Sequence, residues 1–161
     1  MITRRQTLCS FAVSMIGLGT AAAAKSAERV SIKRTPESGL QPQIAIDERG
    51  VLHLVYFLGD PRQGNLFYTV SSDEGHTFSR SIPVNSERNS AIATGTIRGA
   101  QLALGENGRA HIAWNGSKAD GPLNPDSGKP GAPMLYTRAT EARNEFEPQR
   151  NLMQRSFGLD G

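Results

Sequence analysis

Along the chain, apolar and polar positions alternate in short runs that end at Gly, Asp, Asn or Pro, the period-two pattern of half-buried strands. The first such runs fall at 43–46, 51–56, 65–70 and 78–84. Asp47-Glu48-Arg49-Gly50 separates the first two, and its glycine supplies positive φ, so the pattern predicts an antiparallel pair there. Ser71-Ser72-Asp73-Glu74-Gly75-His76-Thr77 separates the last two and predicts a second hairpin. Pro83 cannot donate to a strand ladder, which makes the fourth strand an edge.

The same unit recurs without gaps at an offset of 58. Gln43-Ile44-Ala45-Ile46 lies over Gln101-Leu102-Ala103-Leu104, Gly50 over Gly108, His53 over His111 and Tyr56 over Trp114. At an offset of 68, Leu66-Phe67-Tyr68-Thr69 lies over Met134-Leu135-Tyr136-Thr137, Phe78 over Phe146 and Val84 over Leu152. The ten-residue difference falls in one loop, 115–133. Self-similarity at this period means one supersecondary unit copied, and four strands ending in an exposed edge describe a propeller blade. The expected fold class is therefore all-β: a partial β-propeller of two four-stranded antiparallel blades after a signal peptide. Because propellers have at least about four blades, a ring would need on the order of 230 residues at this repeat length. About 137 follow the signal. The chain is accordingly expected to be the N-terminal piece of a longer protein, the alternative being a small stand-alone domain of two stacked four-stranded sheets.

Composition agrees: 17 Gly and 9 Pro in 161 residues favour many short elements joined by turns over a helical bundle. The formal charge of +3 suggests an acidic partner until its sources are located. Met1 to Leu8 reads MITRRQTL, and an apolar run from Leu8 through Ala24 ends in four alanines that fit an A-x-A cleavage site. This is the form of a bacterial export signal, and Thr3-Arg4-Arg5-Gln6-Thr7-Leu8 resembles the twin-arginine type, with the general secretory route as the alternative. Loss of Arg4 and Arg5 from the 18 basic residues leaves 16 against 15 acidic ones. Phosphate binding needs a concentrated basic surface, so nucleic acid is excluded as a partner. Cys9, the single cysteine, leaves with the signal, which excludes disulfide, thiol and zinc-thiolate chemistry. The predicted organisation is an export signal at 1–24, a linker at 25–39, a first blade at 40–85, an inter-blade linker at 86–98, a second blade at 99–153 and, at 154–161, the start of a link to a third blade. A periplasmic or secreted location follows, with no stable membrane insertion once the signal is removed.

Ser71-Ser72-Asp73-Glu74-Gly75-His76-Thr77-Phe78 matches S-x-D-x-G-x-T-[WF] between the third and fourth strands. It resembles the Asp-box (BNR repeat) of sialidase-like propellers, and the resemblance covers about 40–153. The physical reading is structural. Ser71 and Asp73 accept hydrogen bonds from turn amides, Gly75 takes positive φ, Thr77 closes the turn and Phe78 anchors the hairpin. In the second unit only the aromatic anchor, Phe146, remains.

What the resemblance implies about chemistry is partial. In sialidases an Arg in an R-I-P motif on the first inner strand binds the substrate carboxylate, as bidentate guanidinium geometry suits. Counting back from Gly50, that motif falls on Leu40-Gln41-Pro42, which lacks the Arg. The same count in the second unit reaches Arg98. The family's acid/base Asp comes from the loop after the second strand of its first blade, which here is 57–64 and contains Asp60, Pro61 and Arg62. Its Tyr nucleophile and further arginines come from later blades, so the fragment itself is expected to be inactive. Asp60 is thus the catalytic candidate, and Arg98, Arg88 and Arg62 are candidates for an anionic ligand. The blander alternatives are a turn residue for Asp60 and solvated surface for the arginines.

Tyr68 and Tyr136 are repeat-equivalent, as are His53 and His111, which points to packing rather than to a nucleophile or a metal pair. No metal or cofactor is expected. G-x-S-x-G and Gly-rich phosphate loops are absent, so acyl and phosphoryl transfer have no support. The loop 115–133 is either a recognition loop or slack. In propeller topology it opens on the same side as the blade links. Two expectations follow: a glycoside hydrolase of the exo-sialidase kind acting on terminal acidic sugars of glycans, or a non-catalytic propeller that binds glycan or protein through that side.

Overall fold

The computed structural model describes residues 30–94, 99–117, 123–126 and 128–153. The predicted signal, Arg98 and the segment 154–161 lie outside the described residues. Two compact units, Met1–Ile32 and Lys33–Gly161, divide the chain. Of the first only 30–32 are described, and they carry no regular structure.

The second unit is all-β. A short 3-10 turn, Pro36–Ser38, precedes β1 (Leu40–Ile46), β2 (Leu52–Asp60), β3 (Gln63–Ser71) and β4 (Ile82–Pro83), which form one antiparallel sheet in chain order. β5 (Gln101–Leu104), β6 (Ala110–Asn115), β7 (Met134–Arg138) and β8 (Arg150–Asn151) form a second sheet, again in chain order. Three boundaries differ from those predicted, the first being the start of β1 at Leu40 instead of 43. The fourth strand is two residues long instead of 78–84, with Pro83 at the edge. The expected loop at 57–64 is instead a continuation of β2 and β3, closed by Pro61 and Arg62, because Asp60 Oδ1 accepts the Arg62 amide at 2.8 Å and Gly59, at φ 108°, turns the chain.

Turn chemistry sets the registers. Asp47 Oδ1 accepts the amides of Arg49 and Val51, both at 2.9 Å, and Gly50 sits at φ 80°. In the 71–78 turn, Ser71 Oγ accepts the Gly75 amide at 2.8 Å, while Asp73 accepts the Thr77 amide at 2.8 Å and its hydroxyl at 2.6 Å. These bonds to the ionised form hold the Asp73 carboxyl well below the usual carboxylate range.

The two sheets share one core, and unlike faces meet in it. Cross-strand partners lie on one face of a sheet, so Val55 and Tyr68 share a face with Phe57 and Leu66, whereas Ile44, Leu54 and Thr69 lie on the other. The buried cluster contains Val55, Phe57, Leu66 and Tyr68 from the first sheet. From the second it contains Ala110, Ile112, Trp114 and Leu135, with Leu102 and Leu104 packed against it. By the repeat, those last residues correspond to Ile46 and its neighbours on the other face. Burial along the inner strands is accordingly in opposite phase. In Gln43-Ile44-Ala45-Ile46 the isoleucines are exposed, and in Gln101-Leu102-Ala103-Leu104 the leucines are covered. Tyr68 meets Phe146 edge-on across the interface, with ring centroids 5.4 Å apart.

Candidate functional site

The two ends of the sheets differ. At one end lie the β2–β3 hairpin tip, the segment joining the sheets and the base of the 115–133 loop. Gly64 and Ala91 exchange backbone hydrogen bonds of 2.8 and 3.1 Å, the Ala93 amide donates to Pro61 O at 2.7 Å, and the Ile92 amide donates to Asn115 O at 3.3 Å. Ser117 donates its amide to Ser90 O and its hydroxyl to Asn89 O. The loop base is shut by the Gly116 amide on Pro133 O, and the Leu123–Pro130 bridge folds part of the loop back on itself.

An amide and hydroxyl network holds this end. Asn85 Oδ1 accepts the Leu66 amide at 2.8 Å, and Asn85 Nδ2 donates to Asn65 Oδ1 at 3.0 Å and Ser90 Oγ at 3.2 Å. The Ser90 hydroxyl donates in turn to Gln149 Oε1. Buried polar groups need such partners, and the result is a fixed polar floor. Above it lies an open cleft of about 130 Å³ whose lining includes Glu87, Ser90, Ser117, Gln149 and Asn151. That volume is below the range of roughly 300–1,000 Å³ for enclosing small-molecule pockets, so the cleft suits one edge of a ligand.

Of the predicted site residues, Asp60 and Arg62 stand exposed at the hairpin tip and Arg88 stands exposed in the joining segment, all at this end. Arg98 lies outside the described residues. The Asp60 carboxylate is engaged by its own turn. Sequence reasoning missed the Asn65, Asn85, Ser90 and Gln149 network, because these side chains are far apart in the chain and form no motif.

At the opposite end, a broad cleft of about 860 Å³ separates the turns at 47–50 and 105–108, with Arg143 at its side. Beside it, His53 Nδ1 and the Tyr68 hydroxyl share a hydrogen bond of 2.5 Å, and His53 Nε2 is 3.6 Å from Asp47 Oδ2. His111 and Tyr136 repeat the bond at 2.7 Å. Gly105 replaces Asp47 there, since a Cβ would come within 2.6 Å of His111 Nε2. Burial pushes the Tyr68 phenol up to about 12, so it stays neutral near pH 7. Burial also lowers His53, against the raising effect of Asp47, and lowers His111. Hydrogen bonds from Arg49 hold Asp47 well below its ordinary range. Among the described residues, no group of three His, Cys, Asp or Glu could hold a metal ion. The repeated His–Tyr pairs tie β2 to β3 and β6 to β7.

These shifts predict acid sensitivity in two stages. A histidine lowered by folding leaves the unfolded chain with more bound protons, so stability falls as pH drops through the ordinary value of 6.5. The depressed Asp47 and Asp73 add stability that is present above about 4 and lost below it. Urea midpoints measured from pH 7.5 to 3 should decline across both windows, and His53→Gln should flatten the upper one. An unchanged upper limb would contradict the assignment to burial of His53.

Comparison with known proteins yields no matching family model, curated protein or solved structure.

Proposed function

We propose that the two sheets are blades of a propeller-type protein that works outside the cytoplasm, binding a glycan or protein ligand at the end that carries Arg62 and Arg88, without hydrolysing it. The observation that carries this reading is the packing of unlike faces: each sheet offers one face to the next, an arrangement that continues around an axis instead of ending in a pair. It gathers the joining segment and the 115–133 loop base at one end, above the polar floor held by Asn85 and Gln149. An acidic sugar suits two exposed guanidinium groups, which bind carboxylates in bidentate fashion. Binding is favoured over sialidase-like hydrolysis because Asp60, the candidate acid, is exposed and bonded to the Arg62 amide.

The test uses the full chain with a fluorogenic sialoside and, separately, a panel of acidic and neutral glycans. No turnover is expected, with acidic glycans bound and Arg62→Ala or Arg88→Ala weakening binding about tenfold, the scale of one charge-assisted contact. Turnover abolished by Asp60→Asn would establish the hydrolase reading instead. Binding indifferent to both arginine variants would remove this end from the account.

A further inference from the structure

We propose that the cleft between the first sheet and the 139–146 turn of the second binds a small organic acid, its apolar body against Val51, Val70 and Ile82 and its carboxylate among Arg49, Arg80 and Arg143. This cleft is separate from the end that carries Arg62 and Arg88 and does not depend on a ligand there. Its volume is about 450 Å³, within the range of roughly 300–1,000 Å³ for small-molecule pockets. Val51, Val70 and Ile82 are half-buried and, with the buried His53 and Tyr68, make one wall. Arg49, Arg80 and Arg143 line the same cleft and are exposed.

The cleft has positive charge that its own lining does not neutralise. Arg49 is bonded to Asp47 at 2.8 Å, but among the described residues no carboxylate pairs with Arg80 or Arg143, and no acidic side chain lines the cleft. The second unit shows what such a group of arginines takes up. There Arg109, Arg138 and Arg150 stand at the positions of Val51, Val70 and Ile82, and the Glu147 carboxylate lies among them at 2.9, 2.8 and 3.7 Å. The first unit has Ser79 at the position of Glu147, so a carboxylate must come from outside, and apolar surface is left for the rest of the molecule that brings it. Arg143 adds a separate observation. By the repeat it replaces Gly75, and both residues take positive φ, 57° and 81°. Glycine serves that turn without strain, whereas a side chain strains it, and strain of this kind is kept where it places a functional group. The Arg143 guanidinium donates from Nη2 to Asn107 O, which fixes it at the cleft with further N–H groups able to meet a carboxylate.

Calorimetric titration of the full chain with phenylacetate tests this. Saturable binding with a Kd of about 1 mM or below is expected, which a ligand of this size can reach. Phenylacetamide, which lacks the charge, should bind about tenfold more weakly, the scale of one charge-assisted contact, and acetate, which lacks the apolar body, should also bind more weakly. Arg143→Gly puts the first unit's residue at a φ that suits it, so it should keep the far-UV spectrum and weaken phenylacetate binding about tenfold. Arg80→Gln should weaken it likewise and serves if Arg143→Gly fails to fold, while Arg62→Ala should leave it unchanged. On binding, the ring resonances of His53 and Tyr68 should move and those of His111 and Tyr136 should stay. The proposal is overturned by an absence of saturable binding, by equal binding of the amide, or by affinity indifferent to Arg143→Gly and Arg80→Gln. Loss of binding in Arg62→Ala would place the anion at the other end and overturn it as well.

Discussion

Trp114→Ala is expected to lower stability by about 3–5 kcal/mol, the range for removing a large buried aromatic. Against a total of about 5–15 kcal/mol for a domain, the variant should be largely unfolded at moderate urea. The indole is 2% exposed and belongs to the core between the sheets. Its Nε1 also donates to Ser90 O at 3.3 Å, so truncation removes packing and one tie to the joining segment together. Because Trp114 is the only tryptophan, unfolding of the variant is followed by far-UV circular dichroism, with the wild type followed both ways. A companion pair isolates the interface. Leu102→Ala, at the covered position, should cost about 2 kcal/mol or more, whereas Ile44→Ala, its exposed equivalent, should cost less than about 0.5 kcal/mol. Equal losses would mean that the sheets do not pack unlike face to unlike face.

That contrast marks where sequence stops being informative. The repeat, the alternation and the turn residues were legible because their causes are local: Asp47 bonds amides two and four residues on, and Ser71 and Asp73 do the same in the longer turn. Which face of Gln-Ile-Ala-Ile is covered has no local cause. Both copies read alike, and the neighbouring sheet alone decides that leucines are covered in one and isoleucines exposed in the other. The end of β2 was hidden for a related reason. Asp60-Pro61-Arg62 reads as loop chemistry, and only the pairing of Gly59 with Gly64 keeps both strands running to the tip. The His–Tyr pairs span 15 and 25 residues, a difference set by the long loop, so equivalence in the repeat was the one signal that could couple them. For the candidate ligand-binding end, the charged residues were readable as types. The polar floor beneath them depends on Ser90 linking Asn85 to Gln149, which lies far along the chain.

Gly64 concentrates this dependence in one atom, and Gly64→Ala is expected to destabilise by about 1–3 kcal/mol, the range for forcing extra volume into a packed site. A Cβ there would lie 2.1 Å from Phe57 Cζ and 2.6 Å from the Leu58 carbonyl oxygen. Phe57 is fully buried and the carbonyl belongs to β2, so neither moves aside without shifting the hairpin. The same residue exchanges both backbone hydrogen bonds with Ala91, so the strain should pass into the joining segment that carries Arg88. Gly50→Ala is the control: its φ of 80° imposes backbone strain, but no atom lies within 4 Å of the added carbon. A cost of about 1 kcal/mol is expected there, without effect on the opposite end. Amide exchange at Ala91 and Ala93 separates the two. It should accelerate in Gly64→Ala beyond the change in global stability and only in proportion to it in Gly50→Ala. Equal protection in both variants would show that the hairpin tip and the joining segment are not mechanically one piece.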